Sequence, residues 1–81
     1  MKICVKLFAA AKELAGCDAL QVEIAESATV ADVRRAVEAA VPALSRVLPH
    51  AQWAVDAEYA DDNVPVHERS EVAIIPPVSG G

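Results

Sequence analysis

Residues 2–8 read KICVKLF, and they alternate strictly: Ile3, Val5 and Leu7 on one side of an extended chain, Lys2, Cys4, Lys6 and Phe8 on the other. A two-residue period is the pattern of a strand buried on one face, because successive side chains point to opposite faces. A chain that opens this way must lay something apolar over Ile3, Val5 and Leu7, and the cover this sequence offers is helical. Thr29-Val30-Ala31-Asp32 has the Thr-x-x-acid form of a helix start. Val30, Val33, Val37, Ala40 and Val41 follow at helical spacing until Pro42 stops them. Arg34, Arg35 and Glu38 fall on the outer side of that main helix, where charges stay solvated.

The remaining segments are shorter. Residues 9–15 are good helix formers closed by Gly16, a C-cap glycine. Residues 20–24 alternate again, with Leu20, Val22 and Ile24 on one face, so the first two strands pair as a hairpin across that helical turn. Residues 42–49 hold Leu44, Val47 and Leu48 in an irregular turn over one end of the core. Residues 51–56 set Trp53 and Val55 on one face of a third strand, with Trp53 in the core or at its rim. A turn at Asp56-Ala57-Glu58, a short fourth strand around Tyr59 and a loop at Asp61-Asp62-Asn63 follow. Residues 71–75 supply the last strand, with Val72 and Ile74 facing one way and Ala73 and Ile75 the other.

This order predicts an α+β layer architecture: a mixed sheet of about five strands crossed by one main helix, matching the β-grasp, ubiquitin-like arrangement. There the first and last strands lie side by side, and the helix covers Ile3, Val5, Leu7, Val72 and Ile74. The opposite face exposes Cys4, Phe8, Ala73 and Ile75. Residues 1–77 are expected to form one domain and residues 78–81 an extended, flexible tail, since 81 residues leave no room for a second core.

Composition narrows the partners. The hydrophobic share is 54%, with one Phe, one Tyr and one Trp, so the core is built from Ala, Val, Leu and Ile. A net charge of -5 repels nucleic acid and anionic membrane and suits a partner with a basic surface. Lys2, Lys6, Lys12, Arg34 and Arg35 form no run, so neither nucleic acid nor membrane is expected as a partner. The first residues imitate a signal peptide, but Lys6, Lys12 and Glu13 leave only residues 7–11 apolar, too few for its hydrophobic region. No run approaches the roughly 18 apolar residues of a membrane span. A soluble, cytoplasmic protein with Cys4 and Cys17 as reduced thiols is expected. Cys4, Cys17, His50 and His67 lack ligand spacing, so no metal is expected; the histidines read as solvated loop residues.

The end of the chain, IIPPVSGG, carries the chemistry. Two terminal glycines would arise by chance in about one chain in two hundred, which makes them worth a reason. Pro76 and Pro77 lack donors, so they end the strand ladder and hold the chain extended. From Val78 through Ser79 and Gly80 to Gly81 an extended tail reaches roughly 13 Å, and glycines without Cβ atoms fit a narrow channel. The group delivered is the carboxylate of Gly81, ionised at neutral pH and a poor electrophile until activated. The chain has no GxxxxGK[ST] loop, no GxGxxG and no Ser/His/Asp set, so the activating ATP chemistry must come from another protein. An acyl adenylate at Gly81 could pass to an amine, making a protein conjugate, or to a sulfur donor, making a thiocarboxylate. The tail alone leaves both open.

Leu7-Phe8-Ala9 with Lys12-Glu13-Leu14-Ala15-Gly16, Thr29-Val30, Ala54-Val55-Asp56 with Glu58-Tyr59, and Glu71-Val72-Ala73 leading to PPVSGG together resemble the small subunits of molybdopterin synthase, which are ubiquitin-like sulfur carriers. The resemblance covers nearly the whole chain, and the tail is its specific part. It implies that an adenylating enzyme of the ubiquitin-activating type forms an acyl adenylate at Gly81 and a sulfur donor protein converts it to a thiocarboxylate. The large subunit then receives the tail, and sulfur passes to a pyranopterin precursor in molybdenum cofactor biosynthesis. Gly81 is thus a carrier terminus within an enzyme complex, no cofactor is bound by the chain itself, and ATP is used by the activating enzyme. Phe8, Lys12, Ile75, Pro76 and Pro77 are implied to contact the large subunit. Carriers of the same fold for thiazole synthesis or tRNA thiolation, and a protein modifier conjugated through Gly81, are the alternatives. Two turns depart from the family: Asp56 stands where Asn is usual, and His67-Glu68-Arg69-Ser70 replaces an Asp-Gly-Asp turn, where the missing glycine is expected to strain the loop or change its turn type.

Overall fold

The computed structural model describes residues 1–77. The alternating opening forms β1 (Lys2–Leu7), with Ile3, Val5 and Leu7 buried and Lys2, Cys4 and Lys6 exposed. Next come α1 (Ala9–Ala15), β2 (Ala19–Glu23), α2 (Val30–Ala40), β3 (Gln52–Val55), β4 (Glu58–Ala60) and β5 (Glu71–Ile75). The five strands make one mixed sheet in the order β2-β1-β5-β3-β4, in which β1 and β5 run parallel and the other neighbours antiparallel. This is the β-grasp arrangement that the pattern of periods predicts.

Local chemistry sets the ends of the helices. Gly16 caps α1 at φ 74, a left-handed backbone that a Cβ disfavours, and its N–H donates to the Lys12 carbonyl at 2.9 Å. Thr29 and Asp32 close a capping box at the start of α2, where the Thr29 N–H donates to Asp32 Oδ2 at 2.9 Å. The next two amides of α2 are also taken: Val30 N–H donates to the Val64 carbonyl at 3.0 Å and Ala31 N–H to that of Asp62 at 3.2 Å. Arg34 donates an N–H from each of its two terminal guanidinium nitrogens to the Asp62 carboxylate, which ties this loop to the helix.

Val30, Val33 and Val37 of α2 lie over Ile3, Val5, Leu7, Val72 and Ile74 in one continuous core. Trp53 belongs to that core at 5% exposure, and among the described residues none accepts from its buried Nε1–H. Residues 42–49 are more ordered than the expected irregular turn. They fold as two 3₁₀ helices, Pro42–Arg46 and Leu48–His50, each with proline in its first turn, and they bury Leu44 and Leu48. Proline ends α2, yet its fixed φ suits the start of a new short helix.

Candidate functional site

The face of the sheet that α2 leaves uncovered carries the residues singled out from the sequence. Across it, Lys6 of β1 sits beside Ala73 of β5, Ala73 beside Ala54 of β3, and Ala54 beside Tyr59 of β4. At about 4.8 Å per strand this row is about 14 Å wide. Alanines form its middle and long side chains its ends, so the face is hollow. An open concavity of about 620 Å³ results, with Phe8 and Ile75 among its walls. Phe8 is 48% and Tyr59 74% exposed, and Ala73 and Ile75 are half-buried. Exposed aromatics around an apolar hollow are the composition of a contact surface.

Phe8 reaches this face by a different route from the one expected. Strand β1 stops at Leu7, and Phe8 is the N-cap of α1 with φ -127° and ψ 157°. The backbone is still extended, but the Phe8 carbonyl has turned to helix duty, accepting from the Ala11 N–H at 3.1 Å. Competition between a strand ladder and a helix start at one residue is invisible to a two-residue period.

The parallel pairing of β1 and β5 decides where the tail begins. Leu7 lies opposite Ile74, so both strands finish at the same edge, and Phe8 and Ile75 wall the same hollow where the chain runs into Pro76 and Pro77. Pro76 is buried and Pro77 exposed, which makes Pro76 an anchor of the domain and Pro77 the first outward residue. The expected contact role of Pro76 therefore has less surface to act through than that of Pro77. Val78, Ser79, Gly80 and Gly81 lie outside the described residues.

The charges around the hollow are placed by the same register. Lys6 Nζ donates to Glu71 Oε1 at 2.7 Å across β1 and β5. That hydrogen bond, reinforced by the carboxylate's charge, holds the ammonium above the ordinary lysine range. Both side chains are about half exposed, so the pair adds little stability. Lys12 is exposed and lines a neighbouring hollow with Lys6, Phe8 and Asp18. At the other rim, Asp56 and Ala57 make the β3–β4 turn with φ 51° and 70°. Asp56 exchanges two hydrogen bonds with Glu71, accepting its N–H on Oδ1 and donating its own N–H to its carbonyl, both at 2.9 Å.

The strain expected in the 67–70 loop falls elsewhere. Ser70 N–H donates to the His67 carbonyl and His67 N–H to Ser70 Oγ, both at 2.8 Å, so a hydroxyl satisfies the turn without a glycine. Among the described residues the non-glycine positions with positive φ are Ala9, Asp56 and Ala57. Tyr59 is the surface residue that sequence reasoning passed over, because a three-residue strand is too short for its alternation to be phased. Its pairing with Ala54, two strands from Lys6, is what turns it to this face.

Among the described residues, no three His, Cys, Asp or Glu side chains gather as a metal centre would need, and no helix is long and apolar enough to cross a membrane. Chemically, the face can bind and present, with the Lys6–Glu71 ion pair as its charged rim.

The model of the ThiS family matches residues 5–81, from the middle of β1 through the last glycine. The chain belongs to the ThiS family. As a ThiS-family member it is 37% identical to the molybdopterin synthase sulfur carrier subunit of Chlamydomonas reinhardtii, each chain covered in full. It is 36% identical to the subunit of the same name from Arabidopsis thaliana, over the whole of this chain and 84% of that one. The crystal structure of SAMP1 from Haloferax volcanii, a small archaeal modifier protein, superposes with a TM-score of 0.91 at 35% identity over the whole of both chains.

Proposed function

We propose that this ThiS-family chain is the sulfur carrier of molybdopterin synthase, its small subunit, and that Gly81 is the atom-bearing terminus. An ATP-using adenylating enzyme of the ubiquitin-activating type joins the Gly81 carboxylate to AMP with loss of pyrophosphate. Sulfide-level sulfur delivered by a sulfur donor protein then attacks the acyl carbon, AMP leaves with its phosphate, and the terminus is left as a thiocarboxylate. The domain docks on the large subunit through Phe8, Tyr59 and Ile75, with Lys12 and Pro77 at the rim, and Val78, Ser79 and Gly80 carry the sulfur to a pyranopterin precursor. The thiocarboxylate sulfur bonds to the precursor, water hydrolyses the resulting thioester so that sulfur stays with the precursor, and the regenerated carboxylate is recharged. No side chain of this protein performs the chemistry; the domain supplies position and reach.

One juxtaposition carries this reading: the parallel β1–β5 pair puts the root of the tail beside the wall of the exposed apolar hollow that Phe8 and Ile75 form. A partner that grips the hollow receives the tail from a fixed starting point. The two relatives named as sulfur carrier subunits, both matched over the full length of this chain, support the choice of cargo. The test is the intact mass of the protein after incubation with the adenylating enzyme, ATP and a sulfur donor. Exchange of one oxygen for sulfur, lost on adding the large subunit and precursor, is expected; no exchange refutes the carrier role.

The likeness to SAMP1 favours a second reading, in which activated Gly81 acylates a lysine of another protein. Adducts of higher mass that disappear when Gly81 is deleted would establish it.

A further inference from the structure

Ala9 is the one described residue whose left-handed backbone adjoins an exposed aromatic of the hollow without belonging to a two-residue hairpin turn. Its φ is 50° in the first position of α1, directly after Phe8, whereas Asp56 and Ala57 meet the need of their turn for positive φ at both positions. A residue with a Cβ resists this conformation, and Ala brings no side-chain hydrogen bond to compensate. The corner is also tightly framed. On one side Leu7 N–H donates to the Asp18 carbonyl at 2.9 Å; on the other the Phe8 carbonyl accepts from Ala11 at 3.1 Å. Phe8 and Ala9 therefore reverse the chain from strand to helix between two fixed points, and Phe8 is left 48% exposed over the hollow. Backbone strain next to a contact residue persists when its surroundings enforce it, and such positions gather at functional sites.

We infer that Ala9 is a positioning residue: its constrained left-handed backbone fixes the direction in which Phe8 is offered to the protein that receives the tail. The inference rests on the docking reading above. A glycine here relieves the strain and also frees the corner, so Phe8 must be ordered when the partner binds. Fold stability and partner affinity then move in opposite directions, which a residue that merely helps the chain to turn would not cause.

The experiment compares wild type, Ala9→Gly and Ala9→Asn for thermal unfolding and for calorimetric titration with the purified cognate large subunit of molybdopterin synthase. Ala9→Gly should raise Tm by roughly 2–4 °C while weakening binding about three- to tenfold. Ala9→Asn, which tolerates the left-handed region but keeps a Cβ, should bind like wild type. Ala9→Gly binding as tightly as wild type overturns the inference alone, as does a fall in affinity matched by Ala9→Asn. Absence of any binding by the wild type overturns the docking reading and this inference with it.

Discussion

Truncating Phe8 to alanine tests the docking face most directly. The side chain is 48% exposed in the free domain, so a partner that closes over the hollow removes about half of its surface from water. For a phenylalanine of about 200 Å² that is about 100 Å², and at about 25 cal/mol per Å² the loss on truncation approaches 2 kcal/mol once the retained Cβ is discounted. The large subunit should then bind Phe8→Ala about 10- to 30-fold more weakly, with the change mainly in the dissociation rate. The half that is already covered belongs to the folded domain, so Tm should fall by several degrees as well. Titration calorimetry at a temperature well below both transitions separates the two effects, and amide NMR shifts confirm that the sheet is intact. A dissociation constant within twofold of wild type, in a variant with an unchanged sheet, would remove Phe8 from the interface and with it the reading of the hollow.

Adding one residue after Gly81 should abolish thiocarboxylate formation, read by intact mass, while leaving Tm unchanged, because the reactive carboxylate moves by about 3.5 Å. Gly16→Ala should destabilise the fold by about 1 kcal/mol in chemical denaturation; nothing lies within 4 Å of the added Cβ, so the cost comes from the φ of 74° and Gly16→Asn should recover part of it. The Thr29 N–H holds the Asp32 carboxyl below the usual aspartate range, with Arg35 adding to the effect. Its contribution to stability is therefore present above the ordinary aspartate pKa and fades as pH falls through the lowered one. Asp32→Asn should be less stable than wild type at neutral pH and converge with it in strong acid, as followed by circular dichroism; a constant difference across that range would exclude the carboxylate as the cause.

The sequence by itself determined the elements whose signal is local. Two-residue alternation placed β1, β2 and β5, helical spacing placed α2, and Gly16 and Thr29-Val30-Ala31-Asp32 marked helix ends, because those preferences act between residues a few positions apart. The order of periods also narrowed the topology enough to set β1 beside β5. Only the tertiary structure decided what those elements present. Tyr59 faces the hollow because β4 pairs with β3 in one register. Phe8 leaves the strand because a helix claims its carbonyl. The absent glycine near residue 68 is harmless because the Ser70 hydroxyl meets the His67 N–H, while the left-handed backbone sits at Ala9, Asp56 and Ala57. Each of these outcomes is a competition for one hydrogen bond or one face between segments of the chain, and a residue's own neighbours in sequence carry no record of which competitor wins.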